Sequence, residues 1–94
     1  MNLPDLNPLL MSELRLSIMS MLYQEEEVDF LFIKEITKAS SGNISVQIDK
    51  LAQANYIEVE KGFKGKRTRT VCRITPIGRK AFEDHYESLK QYFK

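Results

Sequence analysis

Amide side chains recur at helical spacing in the middle of the sequence. At about 100° per residue, Asn43, Val46, Gln47 and Lys50 fall on one face of a predicted helix. Asparagine and glutamine amides can make paired hydrogen bonds to base edges, and a small apolar group suits a thymine methyl. A polar outer face is also the ordinary property of a surface helix. The strip is therefore a candidate reading surface whose interpretation depends on the neighbouring elements.

Basic residues are concentrated shortly after this strip. Residues 58–73 carry six basic and two acidic side chains, whereas residues 1–30 carry one basic and six acidic ones, and the formal net charge is +1. A basic segment in a nearly neutral protein indicates a localised surface for a polyanion. The candidate backbone-contacting residues are Ser40, Ser41, Lys64, Lys66, Arg67, Thr68 and Arg69. The alternative is a solvated loop whose charge serves solubility.

The chain offers few side chains for catalysis or metal binding. It has one histidine, His85, and one cysteine, Cys72, and no glycine-rich loop typical of phosphate binding. An intramolecular disulfide, a histidine triad and a cysteine-rich metal site are thereby excluded. We predict no enzymatic activity, no cofactor and no metal site. Cys72 is interpreted as a small buried strand residue and His85 as interface packing, with redox, pH or metal roles as alternatives.

Capping residues predict where the first and last helices begin. Asn7 and Pro8 begin a short helical turn, and Ser12 caps a helix that runs to about Tyr23. That helix is apolar almost all round, which predicts burial on more than one side. Thr75 followed by Pro76 begins a last helix with a wide aromatic stripe. Part of this stripe is expected to pack on a second copy of the chain.

The central part of the chain alternates short helices and strands. Residues 24–29 are predicted to be an acidic loop, and residues 29–32 are too short to assign but consistent with a brief strand. Residues 33–39 form a short helix with Ile33 and Ile36 inward, and residues 43–54 form a longer one. Ile44, Ile48 and Leu51 are its core-facing side chains. Residues 57–61 and 70–75 alternate as the strands of a β-hairpin, with residues 62–69 as its tip.

The order of these elements is that of a helix-turn-helix followed by a basic hairpin. With these elements, the sequence resembles a stand-alone winged-helix transcriptional regulator of the broad MarR/ArsR/PadR-like group. The resemblance is carried by four segments in the same order: residues 14–19, 41–51, 54–59 and 73–82. Asn55 stands where this pattern often has glycine, and asparagine also tolerates the left-handed conformation of a helix end.

The resemblance implies a mainly α fold with a small β-hairpin (α+β), a winged helix-turn-helix. Residues 1–94 would be one DNA-binding domain, with the helix-turn-helix at 33–54, the wing at 57–75 and a C-terminal dimerisation helix at 76–94. The recognition helix would read the major groove of double-stranded DNA, and the wing would contact the backbone or minor groove. The terminal helices would form a homodimer through Leu6, Leu9, Leu10, Leu16, Tyr23, His85, Tyr86, Leu89, Tyr92 and Phe93.

Two further expectations concern location and partners. No apolar run approaches the roughly 18 residues that span a bilayer, and the N-terminus is acidic where a signal peptide would be basic. We therefore expect a cytoplasmic protein with no membrane partner, and the sequence leaves open whether a small-molecule effector acts on it. The competing hypothesis is a winged helix that binds other proteins and not specific DNA, for which the basic wing would meet an acidic partner.

Overall fold

A computed structural model describes residues 2–93 of the chain. Within that range it has four α-helices, two 3-10 helices and three strands. The elements, in chain order, are a first 3-10 helix Pro8–Leu10, α1 Glu13–Glu25, β1 Glu27–Asp29, α2 Phe30–Thr37, α3 Ser41–Gln53, β2 Ile57–Lys64, β3 Arg67–Ile74, α4 Pro76–Lys90 and a second 3-10 helix Gln91–Phe93. This is the predicted α+β winged helix-turn-helix. Lys94, at which the predicted last helix ends, lies outside the described residues, as does Met1.

Side-chain caps begin the helices where the sequence predicts them. The side-chain oxygens of Asn7, Ser12 and Thr75 accept hydrogen bonds from the backbone N–H groups of the first helical turn. Each bond satisfies a donor that the helix itself cannot pair. Pro8 and Pro76 occupy first helical positions, where proline has no N–H to leave unpaired. These three helix starts are confirmed.

The region between α1 and α3 differs from the prediction in three respects. The brief strand is Glu27–Asp29, at the end of the predicted acidic loop, because its backbone pairs with β3. The following helix begins at Phe30 because the Asp29 side chain accepts from the Phe32 N–H, so this helix is Phe30–Thr37. Ile36, predicted to face inward, is 56% exposed. Ile33 is the residue of α2 that is fully buried.

The hairpin strands are longer than predicted. They run antiparallel from the Ile57–Ile74 pair to the Lys64–Arg67 pair, so much of the predicted tip is regular strand. Gly65, with φ of 66°, allows the tight two-residue turn that joins them. β1 adds to the other edge of β3, which gives the strand order β1-β3-β2. The wing is thereby held to the body of the protein by a third strand.

One hydrophobic core lies between the helices and the sheet. Its fully buried side chains come from the first 3-10 helix, the first three α-helices and β3: Leu10, Ile18, Met19, Leu22, Ile33, Ile44, Leu51 and Cys72. Ile44, Ile48 and Leu51 hold α3 by its inner face, as predicted, so its opposite face is available to solvent. Asn55 has a φ of 62° and ends the helix in the left-handed conformation expected of it. The core therefore fixes the orientation of the helix that carries the amide strip.

Candidate nucleic-acid interface

The outer face of α3 presents the strip of residues predicted from the sequence. Asn43, Val46 and Lys50 are exposed, and Gln47 is half-buried. The helix begins at Ser40, whose Oγ accepts from the Asn43 N–H at 3.2 Å. Ser40 and Ser41 lie at the helix N-terminus, where backbone donors and the helix dipole favour an anion. The strip thus combines amide, apolar and cationic groups on one accessible surface.

A chain of hydrogen bonds links the strip to α1. The Arg15 guanidinium donates through Nη1 to Gln47 Oε1 and through Nε to the Leu9 carbonyl at 2.6 Å. Gln47 Nε2 in turn donates to Asn43 Oδ1 at 2.9 Å. Sequence reasoning missed Arg15 because it stands 32 residues before Gln47 and on a different helix. The charge imbalance around it, one cation among six carboxylates in residues 1–30, was the signal that could have drawn attention to it.

The tip of the wing is a cluster of exposed cations. Lys64, Lys66, Arg67 and Thr68 are all exposed around the Gly65 turn. Arg69, also predicted to contact the DNA backbone, has its Nε 3.6 Å from Asp29 Oδ2. This ion pair ties Arg69 to the start of α2, so Lys64, Lys66 and Arg67 are the wing cations most available to an external anion. A surface ion pair of this kind is worth about 0–1 kcal/mol, so a phosphate could displace it.

An exposed aromatic residue stands among these cations. Phe63 is 77% exposed and pairs across the hairpin with Thr68. Because side chains alternate along a strand, Phe63 lies on the same side of β2 as Ile57 and Val59, which pack on the core. Phe63 is further toward the turn, beyond the end of that core. Sequence reasoning included Phe63 only within a loop and gave it no role. The wing therefore carries an exposed aromatic side chain in the same segment as its exposed cations.

The base of the wing is held by compensating charges. Arg73 donates through Nε to Glu27 at 2.6 Å and through Nη1 to Glu60 at 2.7 Å. The hydrogen bonds with Glu60 and then Glu27 raise the pKa of the Arg73 guanidinium above its ordinary value. Arg73 is therefore committed to the fold and joins the three strands.

α3 and the hairpin lie on either side of a shallow groove. Ser45 and Asp49 of α3 line one wall, and Lys61 and Thr70 of the hairpin line the other. α3 and the wing are thus adjacent parts of one surface. A duplex that received α3 in its major groove would bring its next backbone or minor groove to the hairpin.

The terminal segments meet at the other end of the molecule. The Tyr92 hydroxyl donates to the Pro4 carbonyl at 2.7 Å. Among the predicted interface residues, Tyr86 and Tyr92 are exposed and Phe93 is 83% exposed. Five others are half-buried: Leu6, Leu9, Leu16, Tyr23 and Leu89. Leu10 and His85 are instead buried within a single chain, because the first 3-10 helix folds back over α4, so a partner would contact their neighbours and not these two side chains.

Burial also decides the chemistry of the single cysteine and the single histidine. Burial raises the pKa of the Cys72 thiol to about 11, so it is protonated at neutral pH and has little thiolate character. His85 Nδ1 accepts from the Asn7 N–H at 3.3 Å, while its Nε2 is buried and has no hydrogen-bond partner within residues 2–93. Burial lowers the pKa of His85 below its ordinary value. Both groups are placed as structural residues.

No group of three or more histidine, cysteine, aspartate or glutamate side chains between Asn2 and Phe93 is arranged to hold a metal ion. In the same range, no helix has the length and apolar character needed to cross a membrane.

The chain belongs to the winged helix DNA-binding domain family, because the model of that family matches residues 14–93. The match begins in α1 and extends through the second 3-10 helix, so it includes the amide strip and the whole wing. The resemblance to a winged-helix transcriptional regulator is thereby confirmed.

Individual proteins support this assignment. The chain is 30% identical over 83 residues to the uncharacterized protein MJ0432 of Methanocaldococcus jannaschii, covering 88% of this chain and 90% of that protein. The structure is similar to that of a transcriptional regulator homologue from Pyrococcus horikoshii OT3, with a TM-score of 0.84, 27% identity, and coverage of 90% of this chain and 84% of the other. It also has the fold of NadR, solved in complex with 4-hydroxyphenylacetate, with a TM-score of 0.73, 18% identity, and coverage of 92% of this chain and 63% of NadR.

Proposed function

We propose that this protein is a homodimeric, sequence-specific regulator of transcription that binds double-stranded DNA and has no enzymatic activity. α3 lies in the major groove, where Asn43, Val46 and Gln47 contact base edges. Lys50 and the N-terminal serines of α3 contact phosphates beside them. The observation that carries this proposal is an exposed amide strip on a helix whose orientation the core fixes and which lies across a shallow groove from a cationic hairpin.

The wing contacts the neighbouring minor groove and its phosphates. Lys64, Lys66 and Arg67 supply charge at the tip, and their attraction to phosphates is independent of sequence. Phe63 supports a minor-groove position, because apolar side chains that enter this groove can contact or partly unstack base steps. The protein-binding alternative provides no comparable role for an amide strip beside the wing.

Exposed apolar surface at the joined termini supports the homodimer. Tyr86, Tyr92 and Phe93 are exposed in the C-terminal segment, and Leu3 is exposed beside Pro4, whose carbonyl accepts from Tyr92. A second copy of the same surface would cover these side chains through a twofold interface. A twofold dimer of this type recognises a pseudo-palindrome whose half-sites are about one helical turn, or 34–36 Å, apart.

The test separates base reading from backbone contact with two variants. After the preferred site has been selected from a random duplex library, Gln47→Ala should relax the preference at one or two positions, by about 1–3 kcal/mol. Arg67→Ala should weaken binding to all sequences alike and reduce the salt slope by about 1. Lys80→Ala, which removes a cation from α4 outside the proposed surface, is the control and should change neither. An unchanged sequence preference for Gln47→Ala would show that the reading surface has been misplaced.

A further inference from the structure

We infer that Arg15 fixes which hydrogen-bonding groups α3 presents, so that the strip selects base edges that offer acceptors, guanine foremost. This inference rests on the proposed function, in which α3 lies in the major groove. It adds a positioning residue that does not itself need to touch the bases, and it gives the strip a preferred base.

The polarity of the hydrogen-bond chain follows from the chemistry of arginine. A guanidinium has only donors, so the atom of Gln47 that faces Arg15 must be the carbonyl oxygen Oε1. Gln47 Nε2 therefore turns toward the strip, and the atom of Asn43 that faces it must be Oδ1. One donor-only group at the inner end thus determines the orientation of both amides.

Arg15 is itself held on two sides. Its Nε donates to the Leu9 carbonyl, and its Nη1 donates to Gln47 Oε1. Two different nitrogens of the guanidinium are therefore held by hydrogen bonds. The Leu9 carbonyl belongs to the first 3-10 helix, which is anchored by the fully buried Leu10. The guanidinium is therefore positioned by the core and is not a freely rotating surface group.

The outward groups are consequently rich in N–H donors. Both N–H bonds of Asn43 Nδ2, and the second N–H of Gln47 Nε2, have no partner among residues 2–93. The Gln47 carbonyl is directed inward toward Arg15. A helix with this arrangement offers donors to the groove and withholds the glutamine acceptor.

Base edges in the major groove differ in what they offer to such a surface. Guanine presents two acceptors, O6 and N7, whereas adenine presents the N7 acceptor and the N6 donor. The usual bidentate contact of glutamine with adenine needs an outward carbonyl oxygen to accept from N6, and Arg15 turns that oxygen inward. The geometry therefore favours guanine over adenine at the position that Gln47 contacts.

The experiment measures the ratio of dissociation constants for duplexes that carry adenine or guanine at one position. That position is the one whose preference is lost in Gln47→Ala. The wild-type protein should prefer guanine there by about tenfold, since Gln47 Nε2 and Asn43 Nδ2 can each donate one hydrogen bond to its two acceptors. Arg15→Lys keeps a donor-only group and should keep the preference. Arg15→Gln can donate or accept, so the ratio should fall to about threefold or less.

A second variant tests the same polarity without disturbing Arg15 or its contact with Leu9. Asn43→Asp replaces the outward amide by acceptors alone, at an exposed position near a helix N-terminus where a carboxylate is tolerated. It should lose the guanine preference, and thermal unfolding of each variant verifies that the fold is retained.

Four outcomes would overturn the inference. A wild-type preference for adenine at this position would contradict the donor-rich surface. A wild-type ratio that persists in Arg15→Gln would show that Arg15 does not control the reading, and one that persists in Asn43→Asp would show that the outward donors do not set it. Absence of binding to any duplex would overturn the proposed function and this inference with it, whereas the first three outcomes leave DNA binding intact.

Discussion

His85, a buried residue of α4, holds the N-terminal segment through a hydrogen bond that requires a neutral ring. It is 3% exposed, with Nδ1 accepting from the Asn7 backbone and Nε2 unpartnered within the described part of the chain. A positive charge on this ring would be buried without compensation and would lose the acceptor that Asn7 needs. The neutral ring is therefore part of what holds the N-terminal segment against α4.

This burial predicts a loss of stability in mild acid. Because burial lowers the pKa of His85 in the folded protein, the unfolded chain binds this proton more readily, and stability falls as the pH drops below about 6.5. The contribution is at most about 1.4 kcal/mol per pH unit for one proton. Urea unfolding between pH 7.5 and 5.5 measures it. His85→Gln should show a smaller fall over this range, and an equal fall in both proteins would contradict the assignment.

At the residue scale, the sequence predicts local roles better than distant ones. Caps such as Asn7 and Thr75 act on backbone groups two or three residues away, so their spacing is visible in the sequence. The contact of Arg15 with Gln47 joins two helices through the tertiary fold, and no local pattern indicates it. The same reason explains why Leu10 was predicted at a partner interface although it is buried within one chain.

At the scale of elements, the junction between the wing and α4 depends on close backbone approach. Gly78, in the first turn of α4, lies against the backbone of Tyr56 at the entry to β2. The Tyr56 carbonyl also accepts from the Thr75 N–H at 3.0 Å, and Thr75 Oγ1 donates to the Asn55 carbonyl. These contacts fix the direction in which α4 leaves the sheet, and with it the position of the apolar aromatic stripe.

This junction predicts a large effect of a single methyl group. A Cβ at residue 78 would lie 2.0 Å from the Tyr56 carbonyl oxygen, so Gly78→Ala must displace backbone. We expect it to lower the free energy of unfolding by about 2–4 kcal/mol. Gly42→Ala is the matched control in α3, where a Cβ meets nothing within 4 Å, and should be neutral or stabilising by up to about 1 kcal/mol. Denaturant unfolding compares them, and a Gly78→Ala protein as stable as the control would refute the close approach.

The elements whose bounds were predicted wrongly from the sequence are those formed by pairing with a distant strand. Glu27–Asp29 has the composition of an acidic loop and becomes a strand only because β3 supplies hydrogen bonds and Arg73 neutralises Glu27. The wing strands similarly extend into residues 62–69, a basic segment with two glycines in which apolar and polar residues do not alternate. By contrast, the face of α3 was predictable, since its periodicity alone separates Ile44, Ile48 and Leu51 from the outer strip.

At the scale of the whole molecule, the shape is elongated. The extents are 57 × 25 × 21 Å and the radius of gyration is 14.3 Å, compared with about 12 Å for a compact domain of this length. An elongated chain leaves more apolar surface uncovered than a compact one, and the exposed aromatic residues near the C-terminus are an example. This exposed surface is the part of the molecule on which the proposed homodimer would form.

Salt dependence tests the central claim, that the strip and wing form a DNA-binding surface, most directly. The measurement is fluorescence anisotropy of the pure protein on a labelled mixed-sequence duplex, repeated from low to physiological salt. The account predicts binding at low salt whose logarithmic affinity falls linearly with the logarithm of salt concentration, with a slope of about −0.9 for each phosphate neutralised. Lys50, Lys64, Lys66 and Arg67 are the available cations, so a slope of about −3 to −4 is expected for each chain bound. No binding even at low salt would contradict the account and make the basic hairpin a surface for an acidic protein.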